Sequence, residues 1–480
     1  MSPNPPHLVA LLFALAVVAP AAAERAPDDL CTAGLQRASG RLANCLLRAD
    51  ARFAVTEDAE RHERQREKCQ RAFRRGHERV LERFGTDACP NDSAEELGDA
   101  VRRSAADVNA VVADAGSGGG GFTRLGPMTA AVKGVNYEPA PSNYSLPPAP
   151  LYYDTDFYNQ DFVQLWGPGT PPTQPNGRND VADMLSLGIN FIRVFNWNPG
   201  GAPSQPLRNH QPFLDYLVGD GGKRIFVGAA FANGNRGTAA AQMEVDQFNG
   251  FSAAAKQQVA VWLVGNEISP TDPFTPQTLQ VIKARAQPPL DTIPICVPFQ
   301  MSSLSDALSK VQQSHQQFMQ AGVHDRFIAC FNFYGLGQPA ATKAPAVQLR
   351  EFIDGFFTDS FVTANNISLL LTEFGINFDG TSGVEPNAGG DAAKQGQYLG
   401  AMLAESKTLQ TTYPRFLGQV IFEYTNEGWK TPTTEANFGL YALTPQVTPF
   451  TGKTTNPSAP AYPVDTRVPR PQHQAVVDNY

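Results

Sequence analysis

The chain of 480 residues has no apolar run long enough to cross a bilayer, which takes about 20 residues; its longest early run, Leu8 to Val18, has 11. There is no concentrated basic stripe outside the N-terminal helices and the formal net charge is −8, so nucleic acid is not expected as a partner. No Cys-x-x-Cys spacing occurs, which removes the most specific zinc signature. No glycine-rich phosphate loop follows the first strand-like run, against a dinucleotide-binding open sheet. The polar C-terminal stretch TRVPRPQHQAVVDNY carries no lipid-anchor signal. No metal and no cofactor are expected.

What is present allows a large core, with 42% hydrophobic and 10% aromatic residues. Residues 1–23 read as a secretory signal, an apolar run followed by Ala21, Ala22 and Ala23, although a basic n-region is missing. The expectation is an exported protein without a membrane anchor: secreted or extracellular, with the periplasm or cell wall as alternative destinations. Six cysteines fit an oxidising compartment.

Four of those cysteines, Cys31, Cys45, Cys69 and Cys89, lie in residues 24–115, a stretch dense in Arg and Glu with helical periodicity. Cys31 and Cys45 are 14 residues apart, so both would face one way on a first helix. Nested bridges, Cys45 to Cys69 and Cys31 to Cys89, would staple a helical hairpin; four cysteines allow three connectivities. Structural disulfides are favoured over a metal site, because His62 and His77 sit on a charged face. The run GSGGGG opens a linker over 116–127.

Beyond it the texture changes. Eight short apolar runs begin near Ala131, Ile189, Arg224, Val259, Ile293, Arg326, Ile367 and Phe416, and helical patterns fill the gaps. Continuous apolar strands alternating with amphipathic helices give a parallel sheet covered on both faces. Eight units over 128–450 fit an α/β fold of the (β/α)8 TIM barrel type, preceded by the small disulfide-linked α-helical domain. Residues 451–480 read as a Pro/Thr-rich tail, extended or disordered.

In such a barrel the functional groups sit at the C-terminal ends of strands. Those ends carry Asn136, Tyr137, Arg193, Asn196, Asn233, Asn266, Glu267, Phe299, Gln300, Asn332, Tyr334, Glu373, Glu423, Tyr424 and Glu427, a rim rich in carboxylates, amides and aromatics. Amides and carboxylates bond the hydroxyls of a sugar, and aromatic faces stack on its rings. Two glutamates delivered by two strands, Glu267 in VAVWLVGNEISP and Glu373 in ISLLLTEFGIN, are what retaining hydrolysis of a glycosidic bond requires.

VWLVGNE resembles the fourth-strand motif of the clan of retaining barrel glycosidases, and LLLTEFG resembles its seventh-strand nucleophile motif. With KGVNY, GINFIRVFNWNP, NFYG, TEFGIN and FEYTNE, the stretch 128–445 is similar to the β-1,3-glucanosyltransferase family, with plant and bacterial β-1,3-glucanases as a more distant likeness. The resemblance implies Glu267 as general acid/base, Asn266 as the donor to a 2-hydroxyl and Glu373 as nucleophile. It further implies Arg193 holding the nucleophile ionised, Tyr334 hydrogen-bonded to it, and a β-glucan, β-1,3-linked, as substrate. The chain departs from the fungal members in lacking a C-terminal cysteine-rich module and in carrying the helical region in front.

Other readings stand beside these. A glutamate ending a strand can cap the next helix, Arg193 can be a structural ion-pair partner, and Tyr334 can be core packing. Asn136 and Tyr137 are candidate substrate or supporting residues. Trp197 and Trp429 follow strands two and eight and are sugar platforms or buried packing, and Glu427, ahead of Glu423, is a candidate for substrate contact. His210 is expected as a helix residue, and Cys296 and Cys330 as free buried thiols. The rival to an enzyme is a catalytically silent carbohydrate-binding barrel whose helical domain tethers it to a protein or wall partner.

Overall fold

The computed structural model describes residues 35, 38, 42, 45, 59–84, 121–137, 178–195, 197, 210–218, 225–233, 236–379, 385–426, 437–444 and 466–480. The signal-like segment, Cys31, Cys89, Asn196, Glu427 and Trp429 lie outside them. The chain divides into two compact units, 1–113 and 114–480.

In the first unit, helix α1 spans Ala59–Phe84 and buries Cys69, Phe73 and His77 on one stripe. Leu35, Ala38 and Leu42, three to four residues apart, are helical and buried, which is the amphipathic pattern expected of a helix covering a small core. Cys45 is bonded to Cys69 with a Cα–Cα separation of 5.7 Å, which is the inner of the two bridges expected; the outer one falls outside the described residues.

The second unit is a barrel. Its parallel strands are β1 (Val132–Asn136), β2 (Phe191–Arg193), β3 (Phe226–Phe231), β4 (Val259–Val264), β5 (Ile295–Cys296), β6 (Pro298–Gln300), β7 (Ala329–Phe333), β8 (Leu369–Phe374) and β9 (Phe416–Ile421). Helices α2 (Asp180–Ser186), α3 (Gln211–Val218), α4 (Thr238–Gly250), α5 (Ala253–Lys256), α6 (Phe274–Arg285), α7 (Leu304–Ala321), α8 (Pro345–Thr358), α9 (Ser360–Ala364) and α10 (Ala392–Thr412) fill the crossovers. Every residue of β4, β8 and β9 is buried, because one face of each strand fills the barrel and the other lies under helices. Helix α7 shows the local logic: Ser303 caps its N-terminus by accepting from Asp306 N–H, and Gly322 ends it at φ 69°, a left-handed conformation suited to glycine.

The sheet runs β5-β4-β3-β2-β1-β9-β8-β7-β6. Its two outer strands, β5 and β6, are successive pieces of one strand separated by Val297, so the ring closes through the chain itself. Ile295 and Cys296 pair with β4, whereas Pro298 to Gln300 pair with β7. Proline has no N–H to offer a ladder, which suits Pro298 to the point where the strand changes partner. The fifth of the eight expected strands is therefore split. At the opposite joint, β1 against β9, a Cβ on Gly418 would overlap the Val132 carbonyl, so only glycine fits.

Three expectations need correction. Cys296 and Cys330 form a disulfide rather than free thiols, since the split strand brings their Cα atoms to 5.9 Å, within bonding reach. The segment 121–127 is packed rather than linking: Leu125 is fully buried, and the Phe122 carbonyl accepts from the Ser368 hydroxyl at 2.5 Å. Residues 466–480 are likewise packed. Strand β10 (Tyr441–Thr444) pairs antiparallel with β11 (Thr466–Pro469), and helix α11 (Pro471–Asn479) buries Ala475 and Val476 against α10. Tyr480 reaches the start of the barrel, where its hydroxyl accepts from Gln419 at 3.1 Å and Lys133 stands 5.3 Å from its ring. Proline-rich composition concealed these few apolar anchors. Among the described residues no helix is long and apolar enough to cross a membrane.

Replacing both Cys296 and Cys330 by alanine is expected to lower unfolding stability by about 2–4 kcal/mol, since the bridge closes a loop of 34 residues. Denaturant titration of the double variant against the parent measures the loss, and an unchanged midpoint would contradict a stapling role.

Candidate active site

Strand β4 ends in the turn Gly265, Asn266, Glu267. Gly265 has φ 78° and Glu267 has φ 52°, and a left-handed glutamate persists only where its surroundings over-determine it. Here Asn233 brackets Asn266, donating to its carbonyl at 3.0 Å and accepting from its N–H at 2.8 Å. The Glu267 N–H donates to the Pro298 carbonyl at 2.9 Å, so the split strand that closes the barrel also seats this residue. The Glu267 side chain is exposed, and its Oε1 accepts from Asn332 Nδ2 at 2.8 Å.

Glu373, near the end of β8, is 5% exposed and has a donor on each oxygen. Arg193, the last residue of β2, is ion-paired with Oε1 at 2.8 Å, and the Tyr334 hydroxyl, just past β7, donates to Oε2 at 2.5 Å. The same Arg193 guanidinium donates to the Thr372 carbonyl at 2.9 Å, to Asn136 Oδ1 at 3.4 Å and to Asn266 Oδ1 at 2.7 Å. Asn332 Nδ2 adds a second bond to Asn266 Oδ1 at 3.2 Å, and Asn332 Oδ1 accepts from the Thr372 hydroxyl at 2.9 Å. Both glutamates thus belong to one hydrogen-bonded network, joined through Asn266, Asn332 and Arg193. With Asn266 Oδ1 engaged twice, its Nδ2 is the group left to meet a ligand.

The phenol of Tyr334 is pushed well above its usual range, first by burial, then by the Glu373 carboxylate that accepts its proton bond, with Glu267 adding and Arg193 opposing. It therefore stays a donor. Its ring stands edge-on to Phe422 and Phe438, at 6.1 and 5.5 Å between centroids. Phe195, partly exposed, lies 4.5 Å under the Arg193 guanidinium and edge-on to Phe422 at 6.3 Å. An aromatic wall flanks the buried carboxylate.

The structure brings together Glu267, Glu373, Asn266, Arg193 and Tyr334. Asn136 is fully enclosed, its amide donating to the Thr372 and Ile421 carbonyls, and so supports Arg193 from beneath. Tyr137 turns away from the rim. Its hydroxyl donates to Asp180 at 2.7 Å within a cluster of buried Arg178, Asp180, Tyr424 and Tyr441 and half-buried Asp183 and Arg467, which corrects its place among candidate contacts. Trp197 is not a sugar platform either. It is fully buried among His210, Phe213 and Phe248, with its indole N–H donating to the Gly228 carbonyl at 2.8 Å. His210 opens α3, its carbonyl accepting from Leu214 N–H. Glu423 is 3% exposed just past β9.

Sequence reasoning gave Asn332 no role beyond its place on the rim, yet its Nδ2 donates to Glu267 Oε1. Its spacing of two from Tyr334, which follows β7 directly, was the available signal. Phe438 lies 65 residues from Glu373 in a loop and carried no such mark.

No protein-family model matches the chain, and no curated protein matches it in sequence. Solved structures similar to it include a family 51 α-L-arabinofuranosidase of Bifidobacterium longum, at 14% identity and a TM-score of 0.43 over 74% of this chain and 73% of that one. A GH128 subgroup I endo-β-1,3-glucanase of Amycolatopsis mediterranei, solved with laminarihexaose, is 13% identical with a TM-score of 0.36 over 62% of this chain and 94% of that one. A β-glucuronidase of Bacteroides uniformis is 13% identical with a TM-score of 0.37 over 55% of this chain, which spans 30% of that enzyme's length.

The raised phenols give a pH expectation whose sign is set by the unfolded chain. An unfolded tyrosine ionises near pH 10, whereas Tyr334, Tyr137 and Tyr424 do not while folded. These groups leave stability unchanged below about pH 10 and reduce it progressively above. At about pH 11 the phenolate absorbance of the folded protein is expected to fall short of its 13 tyrosines and to reach the full value only on unfolding. A full phenolate signal with native circular dichroism would contradict this.

Proposed function

We propose that the barrel is a retaining glycoside hydrolase or transglycosylase acting on a β-glucan by double displacement. The observation that carries the reading is the unequal treatment of two carboxylates in one network: Glu373 buried between a guanidinium and a phenol, Glu267 exposed with Asn332 donating to its Oε1. A nucleophile must be anionic and oriented before substrate arrives, and Arg193 and Tyr334 supply charge and aim. A proton donor must reach the glycosidic oxygen, and Glu267 stands open to it.

In this mechanism a Glu373 oxygen attacks the anomeric carbon while Glu267 gives its proton to the departing oxygen, leaving a glycosyl ester on Glu373. Glu267, now a carboxylate, takes the proton of a water or sugar hydroxyl, whose oxygen attacks the same carbon and frees Glu373. The Nδ2 of Asn266 would donate to the 2-hydroxyl of the bound sugar, a contact that strengthens in the transition state. Phe195, partly exposed, offers apolar surface for a sugar ring. The preference for β-1,3 linkages rests on the ordered motif series from KGVNY to FEYTNE, and export rests on the pattern of residues 1–23.

Glu373→Gln is expected to reduce turnover of laminari-oligosaccharides on the order of 10⁴-fold or more, and Glu267→Gln by about 10²–10⁴-fold. Proton NMR of the first-formed product is expected to show the β-anomer. Undiminished turnover by Glu373→Gln, or an α-anomer released first, would reject the mechanism. Binding of the oligosaccharide with no turnover by the parent would favour the silent carbohydrate-binding barrel.

A further inference from the structure

Among the side chains of the C-terminal segment, Arg470, between β11 and α11, bonds the stretch that carries Phe438. One guanidinium nitrogen donates to Asn426 Oδ1 at 2.7 Å, to the Asn437 carbonyl at 2.6 Å and to the Gly439 carbonyl at 3.4 Å. The other donates to Gln395 Oε1 at 3.2 Å. The Arg470 main-chain N–H donates to the Leu440 carbonyl at 2.9 Å, so the residue is fixed at both ends.

Its partners bind one another as well. Gln395 Nε2 donates to the Ile376 carbonyl at 2.8 Å and the Asn437 carbonyl at 3.1 Å, and Asn426 Oδ1 accepts from Gly439 N–H at 2.9 Å. One guanidinium therefore ties together the Asn426 side chain after β9, the Asn437 and Gly439 carbonyls on the approach to β10, and Gln395 of α10, which in turn holds the Ile376 carbonyl after β8. Phe438 sits in the middle of the clamped approach. It is 6% exposed, with its ring 5.3 Å from Phe422 and 5.5 Å from Tyr334.

We infer that Arg470 is a positioning residue for Glu373, acting through Phe438 and the Tyr334 phenol; this rests on the proposed role of Glu373 as nucleophile. The phenol can meet Glu373 Oε2 only if its ring is held laterally, and Phe438 and Phe422 are the rings that hold it. Phe438 in turn is located by backbone whose carbonyls need the Arg470 donors. Without them, acceptors at Asn426, Asn437 and Gly439 lose a charged partner and the stretch relaxes toward water. A role limited to fastening the C-terminal segment would lower stability and leave the turnover of folded protein unchanged.

The test uses full-length Arg470→Ala, Arg470→Lys, Phe438→Ala and Tyr334→Phe, with thermal unfolding to establish folded protein at the assay temperature. Arg470→Ala and Phe438→Ala are each expected to lower kcat on laminari-oligosaccharides about tenfold, with KM changed by less than about twofold. Neither is expected to slow the enzyme further in a Tyr334→Phe background, because the route through the phenol is already cut. Arg470→Lys recovers part of the rate by restoring one donor. Multiplicative losses in the double variants, or unchanged kcat in folded Arg470→Ala, would overturn the inference. Should Arg470→Ala not fold, Phe438→Ala, which leaves the clamp intact, decides by the same criterion. If the parent does not turn over β-glucan, the functional reading fails separately, and the Tyr334 to Glu373 hydrogen bond in a crystal structure of Phe438→Ala decides: its loss supports positioning and its retention overturns it.

Discussion

The site depends on one guanidinium. Arg193 is buried, and a charge taken out of water is tolerated only with close opposite charge and well-placed acceptors. It finds them on three other strand ends: the Glu373 carboxylate and Thr372 carbonyl of β8, the Asn136 amide of β1, and the Asn266 amide after β4. A planar fork with several donors can serve these partners together, which a lysine ammonium on a flexible stem does less well. The register of β1, β2, β4 and β8 at the rim is accordingly also the coordination of Arg193.

From this constraint follows the contrast between the carboxylates. Glu373 lies inside the ring of partners and cannot move without stranding Arg193. Glu267 lies at its edge, tied to Asn332 and to the Pro298 carbonyl through its own N–H, with its side chain in solvent. On the proposed reading, the group that forms a bond to carbon is the fixed one, and the group that exchanges protons is the accessible one. The left-handed backbone of Glu267 is local strain maintained because Asn233 and Pro298 hold both sides of the turn.

Much of this was legible in the residues because buried parallel strands leave a plain record. VAVWLV and LLLTEF are apolar without alternation, and a polar residue at the end of such a run has few places to be except the rim. Depth was not legible. Trp197 and Phe195 stand two apart after the same strand, yet one is core and the other lies beside Arg193, a difference decided by the Gly228 carbonyl that takes the indole N–H. Pairing across the barrel was equally hidden: Cys296 and Cys330 read as buried thiols because their closeness depends on where the fifth strand changes partners. The C-terminal segment was misread from composition, since a short strand pairing, a few buried residues and two arginines dock it with little apolar signal.

The split at Val297 also divides the barrel into two halves, β1 to β5 and β6 to β9, that meet at the disulfide-linked joint and again between β1 and β9. Glu267 belongs to the first half and Glu373 to the second, and Arg193 reaches across from one to the other. Neither half contains both carboxylates. On the proposed reading, a chain in which only one half has formed, as on a ribosome or in a partly folded intermediate, holds one carboxylate without its counterpart and does no chemistry. On that reading, the joint thus makes activity a report on closure of the whole ring.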